Sequence, residues 1–221
     1  MGIMRDIKNV TVLGANGTMG ARCAAVIAGF GRAQVFLVSR NIDKSRSAVQ
    51  VAASSIRSNA IIGNLVPETY ENLARCVESS DWVLEAVAED YAVKERINAE
   101  INAFRMPGTI VSTVSSGLSI ARLSQAFDED GRRHYFGTHF FNPPYMLPLC
   151  ELVSHNEADE GVQRDLSEYL QSTLLREVVL TADTPGFAAN RIGFQFLNEV
   201  AQCAEADIEA GGIAFMDAVI G

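Results

Sequence analysis

An α/β chain built on a doubly wound, mainly parallel, Rossmann-like sheet is predicted by three observations. Over the first half of the 221 residues, short apolar runs alternate with longer amphipathic segments, the pattern of strands joined by crossover helices. The first apolar run leads straight into three evenly spaced glycines. The composition, 48% hydrophobic and 20% charged, suits a packed globular core with no low-complexity tract.

The elements follow in order. Strands are expected at 9–13, 34–39, 82–86 and 109–113 and around 135–140, where β-branched and aromatic residues cluster between turn formers. Between the second and third of these, the helix-forming segment 43–59 and a second helical stretch after Pro67 predict a helical excursion. Residues 157–175 read as one helix and 176–183 as a short closing strand. Asp183-Thr184-Pro185-Gly186 then marks a break. Beyond it Ile192, Phe196 and Val200 share one face of a strong helix that ends at Gly211-Gly212. The break divides the chain into a dinucleotide-binding domain, 1–184, and the start of a helical domain, 185–221. That last helix has an apolar face and few residues after it to cover it. Completion by a missing C-terminal domain, or homodimer formation, is therefore expected. Trp82 and the 11 phenylalanines are assigned to the core.

Charge and cysteine usage exclude whole classes. With 18 basic and 27 acidic side chains the formal charge is −9, the wrong sign for neutralising phosphate backbones, so neither nucleic acid nor an anionic membrane is an expected partner. Cys23, Cys76, Cys150 and Cys203 are scattered, with no CxxC pair and no histidine cluster, which predicts buried thiols, a reducing compartment and no metal site. No apolar stretch is long enough to span a bilayer and the start carries no targeting pattern, giving a cytoplasmic expectation.

The glycine turn carries the first chemistry. In residues 9–21, NVTVLGANGTMGA, a strand runs into Gly14, Gly17 and Gly20 and then into a helix. Gly14 can make the tight turn, Gly17 can let the backbone approach a pyrophosphate, and Gly20 can let helix and strand pack closely, with Thr18 and Met19 opening the helix. The spacing is one residue longer than GxGxxG, and a glycine-rich turn without a ligand is the plain alternative. Where an NAD-preferring fold places an acid on the ribose, the second strand ends in Ser39-Arg40. Ser39 can hydrogen-bond and Arg40 can pair with a 2′-phosphate, so the sequence leans to NADP. The alternative is a solvated Arg40, with Asp43 serving the ribose and NAD as cofactor.

Residues 137–153 read GTHFFNPPYMLPLCELV, with His139 twelve residues before Glu151. A histidine held by a carboxylate is a common general base, while a lone histidine is more often structural. The motif resembles that of the L-3-hydroxyacyl-CoA dehydrogenase family, close to HFFNPxxxMxLxE. His139, Phe140, Phe141, Asn142, Pro143, Leu149 and Glu151 match, and Leu147 replaces the methionine. GTMG, EAVAEDYAVK at 85–94, SSGLSI at 115–120 and DTPGFAANR at 183–191 extend the likeness in order along nearly the whole chain. The resemblance implies that His139 takes the proton of a 3-hydroxyl while C3 gives hydride to the nicotinamide, and that Glu151 orients the imidazole. It makes Ser116 and Asn142 donors to the reacting oxygen and brings Asn190 to the substrate. It also puts Ala86, Glu89 and Lys94 on the cofactor side. His134 and His155 match nothing and are assigned to surface or loop.

The leading expectation is thus an oxidoreductase interconverting (S)-3-hydroxyacyl-CoA and 3-ketoacyl-CoA, as in β-oxidation. Only Lys44, Arg46 and Arg57 remain of the basic helix pair that the resemblance would place against coenzyme A. A dehydrogenase of a small 3-hydroxy acid without CoA is therefore an alternative. A dinucleotide-binding module inactive alone, as part of a larger multifunctional protein, is another.

Overall fold

The computed structural model describes residues 6–206 and 208–220. Eight strands form one sheet: β1 (Asn9–Leu13), β2 (Gln34–Ser39), β3 (Leu65–Thr69), β4 (Trp82–Glu85), β5 (Ile110–Thr113), β6 (Tyr135–Phe140), β7 (Leu149–Ser154) and β8 (Glu177–Ala182). Their order is β3-β2-β1-β4-β5-β6-β7-β8, and every pair is parallel except β6·β7. The chain leaves β1 in one direction and returns to its other side at β4, so a crevice opens beyond the carboxyl ends of these two strands.

Helices cover both faces. Side chains alternate along each strand, so Val10, Val12, Val35, Leu37, Trp82 and Leu84 enter one core with α1 (Thr18–Phe30) and α2 (Ile42–Ser55). Leu13, Phe36, Val38, Val83, Val111 and Tyr135 enter the other with α3 (Leu73–Glu78), α4 (Tyr91–Phe104) and α5 (Ile120–Ser124). Burial on both faces explains why these strands read as unbroken apolar runs. A buried polar chain from Trp82 Nε1 to Ser112 Oγ (2.9 Å) to Thr138 Oγ1 (2.9 Å) crosses β4, β5 and β6 and fixes their register. The short α6 (Glu129–Arg133) precedes β6. The helix α7 (Glu160–Glu168), continued by a wider turn over Tyr169–Thr173, precedes β8.

Several expectations need correction. The excursion between β2 and β4 is not wholly helical: Leu65–Thr69 pairs with β2 as the edge strand β3, where Pro67 lies on the sheet rim. Leu149–Ser154 forms β7, a strand beyond those expected from the sequence. The final long helix α8 (Ala189–Ala206) stops before Gly211-Gly212, and a 3-10 turn (Ile208–Ala210) leads into α9 (Ile213–Ile220). Not all phenylalanines are core: Phe30, Phe194, Phe196 and Phe215 are exposed. Cys203 is exposed, while the other three thiols are buried, and burial pushes the Cys23 thiol up to about 12 and the Cys76 thiol up to about 11. His155 lies in a loop but is buried, its Nε2 3.1 Å from the Arg132 carbonyl, and burial lowers its pKa. Among the described residues no helix is long and apolar enough to cross a membrane.

The three glycines of the first turn are not equivalent. Gly14 has φ +73°, and a Cβ there would sit 2.5 Å from the Ala86 carbonyl oxygen; at Gly20 it would sit 2.5 Å from the Gly14 oxygen. Gly17 has an extended backbone, is exposed, and would bring a Cβ only to 3.2 Å of the Gly14 oxygen. Thermal unfolding should therefore show Gly14→Ala and Gly20→Ala each destabilised by about 3 kcal/mol or more, from strain and overpacking. Gly17→Ala should cost under about 1 kcal/mol. Equal losses at all three would contradict this ranking.

Candidate active site

The site begins with a register. In the antiparallel β6·β7 pair His139 stands directly opposite Glu151, both facing the second core. Their side chains meet, Nδ1 to Oε2 at 2.7 Å, and both are nearly fully buried. A carboxylate only accepts, so Nδ1 carries the proton and Nε2 is left as the lone-pair nitrogen. The other Glu151 oxygen, Oε1, accepts from the backbone amides of Ala188 and Ala189, each at 2.9 Å. These amides open α8 and have no intrahelical acceptor, so Glu151 caps that helix from another strand. The imidazole packs against Phe141 (centroids 4.7 Å apart) and Phe187 (5.7 Å). Phe187 holds φ +51°, a rare conformation for a large side chain, and its ring is buried in the contact.

The neighbouring loops are tied to the same place. Asp183, at the exit of β8, accepts from the Ser119 hydroxyl and from the Ile120 and Ala121 amides at 2.8–2.9 Å, capping α5. Asn190 Nδ2 donates to the Ser116 carbonyl (2.9 Å), bringing together two residues 74 positions apart. The Ser116 amide and the Ser115 hydroxyl both donate to Glu89 Oε1, at 2.8 and 2.6 Å. The Ser116 hydroxyl is left without a partner among the described residues. Asn142, at the exit of β6, accepts from Arg22 Nη1 at 2.6 Å.

The crevice beside β1 and β4 is a cleft of about 610 Å³ lined by Gly14, Gly17, Ser39, Arg40, Tyr70 and Ala86, with Val93, Arg96 and Glu100 of α4 on its far wall. The N-terminus of α1 has no side-chain cap, so its amides, from Thr18 on, are available to an anion. Thr18 lines a smaller adjoining hollow, and Met19 packs on the core. Ser39 lines the cleft with its hydroxyl already engaged. Its hydroxyl donates to the Asn41 carbonyl (2.8 Å) and meets Ser45 Oγ (2.7 Å), so it is occupied within the protein. Asp43 faces Arg46 at 3.3 Å and does not line the cleft. Arg40 and Arg96 do line it, and neither has an ion-pair or hydrogen-bond partner among the described residues.

Lys94 is the clearest departure. It is fully enclosed and bonds Glu85 Oε1 and Oε2 (2.8 and 3.0 Å), Thr113 Oγ1 (3.3 Å) and the Val87 carbonyl (3.4 Å), with Glu89 Oε2 at 3.5 Å. Its ammonium therefore does not open onto the cleft surface. The sequence reading missed its partner: Glu85 is wholly buried, also accepts from the Thr113 hydroxyl and the Val87 amide, and so ties the ends of β4 and β5 to α4. A glutamate ending an otherwise apolar strand was the available signal. Arg22, one turn into α1, was missed too.

Residues 9–184 match the family model described as "3-hydroxyacyl-CoA dehydrogenase, NAD binding domain". The chain is 33% identical over 202 residues to a probable 3-hydroxyacyl-CoA dehydrogenase of Deinococcus radiodurans, covering 85% of this chain and 57% of that protein. It is 31% identical to the mitochondrial hydroxyacyl-coenzyme A dehydrogenase of Sus scrofa, covering 90% of this chain and 67% of that one. The structure of 3-hydroxybutyryl-CoA dehydrogenase from Escherichia coli superposes with a TM-score of 0.82 at 25% identity, over 91% of this chain and 43% of that one. A probable 3-hydroxyacyl-CoA dehydrogenase of Bacillus subtilis, 36% identical over 129 residues, is matched over only 16% of its length, so this chain spans part of its relatives. On this match and on the shared fold, the chain belongs to the NAD-binding-domain family of 3-hydroxyacyl-CoA dehydrogenases.

Proposed function

We propose that this chain seats a nicotinamide dinucleotide and carries the acid–base pair for interconverting (S)-3-hydroxyacyl-CoA and 3-ketoacyl-CoA. The observation that carries the reading is the buried His139–Glu151 pair, whose geometry leaves Nε2 as a proton acceptor. The cleft at the β1/β4 crevice, the uncapped α1 amides and the exposed Gly17 suit a dinucleotide pyrophosphate. Such a cofactor, when bound, supplies the hydride acceptor at its nicotinamide. In oxidation the 3-hydroxyl gives its proton to His139 Nε2 as the C3–H bond yields its hydride, and the Glu151 carboxylate stabilises the resulting imidazolium. In reduction the same nitrogen returns the proton. The Ser116 hydroxyl and the Asn142 amide are assigned as donors to the oxygen while it carries partial negative charge. Asn190 helps hold the Ser116 loop at the substrate side, and Glu89 holds its amide.

For the cofactor we favour NADP. Ser39 is spent locally, Asp43 is turned away, and Arg40 stands in the cleft unpaired, with Arg96 across from it. Two guanidinium groups favour a 2′-phosphate. We assign 1–184 to the dinucleotide domain and 185–221 to the start of a helical one. A second reading, a module that needs a further helical unit to turn over, is favoured by one observation. Ile192, Phe194, Phe196 and Leu197 of α8 and Ile213 and Val219 of α9 are all exposed.

Two measurements test this. Steady-state oxidation of 3-hydroxybutyryl-CoA should fall about 1,000-fold in kcat for His139→Gln, the usual weight of a general base, with dinucleotide binding unchanged. Undiminished turnover would contradict the assignment. Fluorescence titration should show NADPH binding more tightly than NADH, and Arg40→Ala should weaken NADPH about 10- to 100-fold, the weight of a charged hydrogen bond, while sparing NADH. Tighter NADH binding, or an Arg40→Ala variant indifferent to the 2′-phosphate, would refute the NADP preference.

A further inference from the structure

Arg22 and Asn142 are 120 residues apart, yet the guanidinium Nη1 donates to the Asn142 side-chain oxygen at 2.6 Å. The two groups come from the two halves of the site. Arg22 rises from the helix whose N-terminus opens at the glycine turn, and Asn142 lies three residues after His139, where β6 ends. Arg22 forms no ion pair among the described residues, so no carboxylate competes with Asn142 for it.

A carboxamide has one accepting and one donating end, and a neighbour decides which way it faces. A guanidinium has donors only, so it selects the carboxamide oxygen and turns the NH2 group away from itself. No other hydrogen bond of the Asn142 side chain is seen among the described residues, and both Nδ2 hydrogens remain available. With the amide reversed, an acceptor would meet a developing oxyanion, which repels it. We propose that Arg22 is a positioning residue: it fixes the Asn142 carboxamide with its NH2 toward the reacting oxygen, acting through Asn142 rather than on substrate. The positive charge at Oδ1 also polarises the amide and strengthens it as a donor. This inference rests on the proposed role of Asn142 as an oxygen donor.

The test uses the full chain in four forms, wild type, Arg22→Ala, Asn142→Ala and the double variant, with Arg22→Lys as a fifth. In a 1H–15N spectrum the Asn142 carboxamide pair, identified by its loss in Asn142→Ala, should shift in Arg22→Ala. Turnover of 3-hydroxybutyryl-CoA should fall about tenfold in kcat for Arg22→Ala, a fraction of the roughly 100-fold that loss of a whole oxyanion donor costs, with little change in KM. Lysine should recover part of the rate, and the double variant should be no slower than Asn142→Ala alone, because the two residues act in series. Losses that multiply in the double variant, or an Asn142 signal unmoved by Arg22→Ala, would overturn the proposal. A wild-type chain that turns nothing over would count against the proposed activity instead, and the carboxamide signal would still decide whether Arg22 holds Asn142.

Discussion

The carboxylate of Glu151 is the constraint on which the rest of the site depends. A charge-bearing side chain taken out of water must be met by donors, and this one finds three: the His139 imidazole on one oxygen and the Ala188 and Ala189 amides on the other. Each donor gains from the bond. The imidazole acquires one tautomer and one orientation, and α8 acquires the cap that its own sequence, Phe187-Ala188-Ala189, does not provide. The antiparallel β6·β7 pairing sets the two side chains opposite each other, so one change of strand direction in a parallel sheet creates the pair. The positive φ of Phe187 follows, since its ring closes over the imidazole while its neighbours offer their amides to Glu151.

The wall of the β1/β4 cleft is organised by a second buried carboxylate. Glu85 ends β4, and its oxygens hold Lys94, Thr113 and the Val87 amide, so the loop that shapes the cleft wall is anchored from behind. Buried pairs of this kind add little net stability, but losing one partner costs about 3–5 kcal/mol because the other is left unpaired. They define a geometry, here that of the loop from β4 to α4. Glu89, on that loop, passes it on to Ser115 and Ser116, and Ser116 passes it to Asn190 of α8. The two carboxylates thus reach the Ser116–Asn190 contact from opposite ends.

Where a side chain's environment is local, the sequence was readable. The strands Asn9–Leu13, Gln34–Ser39 and Tyr135–Phe140 appear at their expected positions, because β-branched and aromatic residues cluster in each of them between turn formers. Gly14 and Gly20 announce their close contacts, and the 183–186 break falls where predicted. What escaped depends on distant pairing. Leu65–Thr69 is a strand only because β2 offers it an edge, and Pro67 argues against it locally. Nothing around residue 94 says that its ammonium is enclosed by Glu85, nor anything around residue 39 that Ser45 takes its hydroxyl. The Arg22–Asn142 contact spans 120 residues and leaves no periodic trace. The exposed phenylalanines of α8 look like core in sequence, since an apolar helix face reads the same whether or not it is covered.

The most direct measurement is the tautomeric state of His139, read from long-range 1H–15N couplings of the imidazole in the full chain and in Glu151→Gln. The Nδ1–Oε2 bond requires a proton on Nδ1 and a bare Nε2 in the neutral ring, with the preference weakened or lost in Glu151→Gln, whose amide can donate as well as accept. A ring protonated on Nε2 in the unaltered chain would contradict this, because Glu151 would then not be orienting the imidazole.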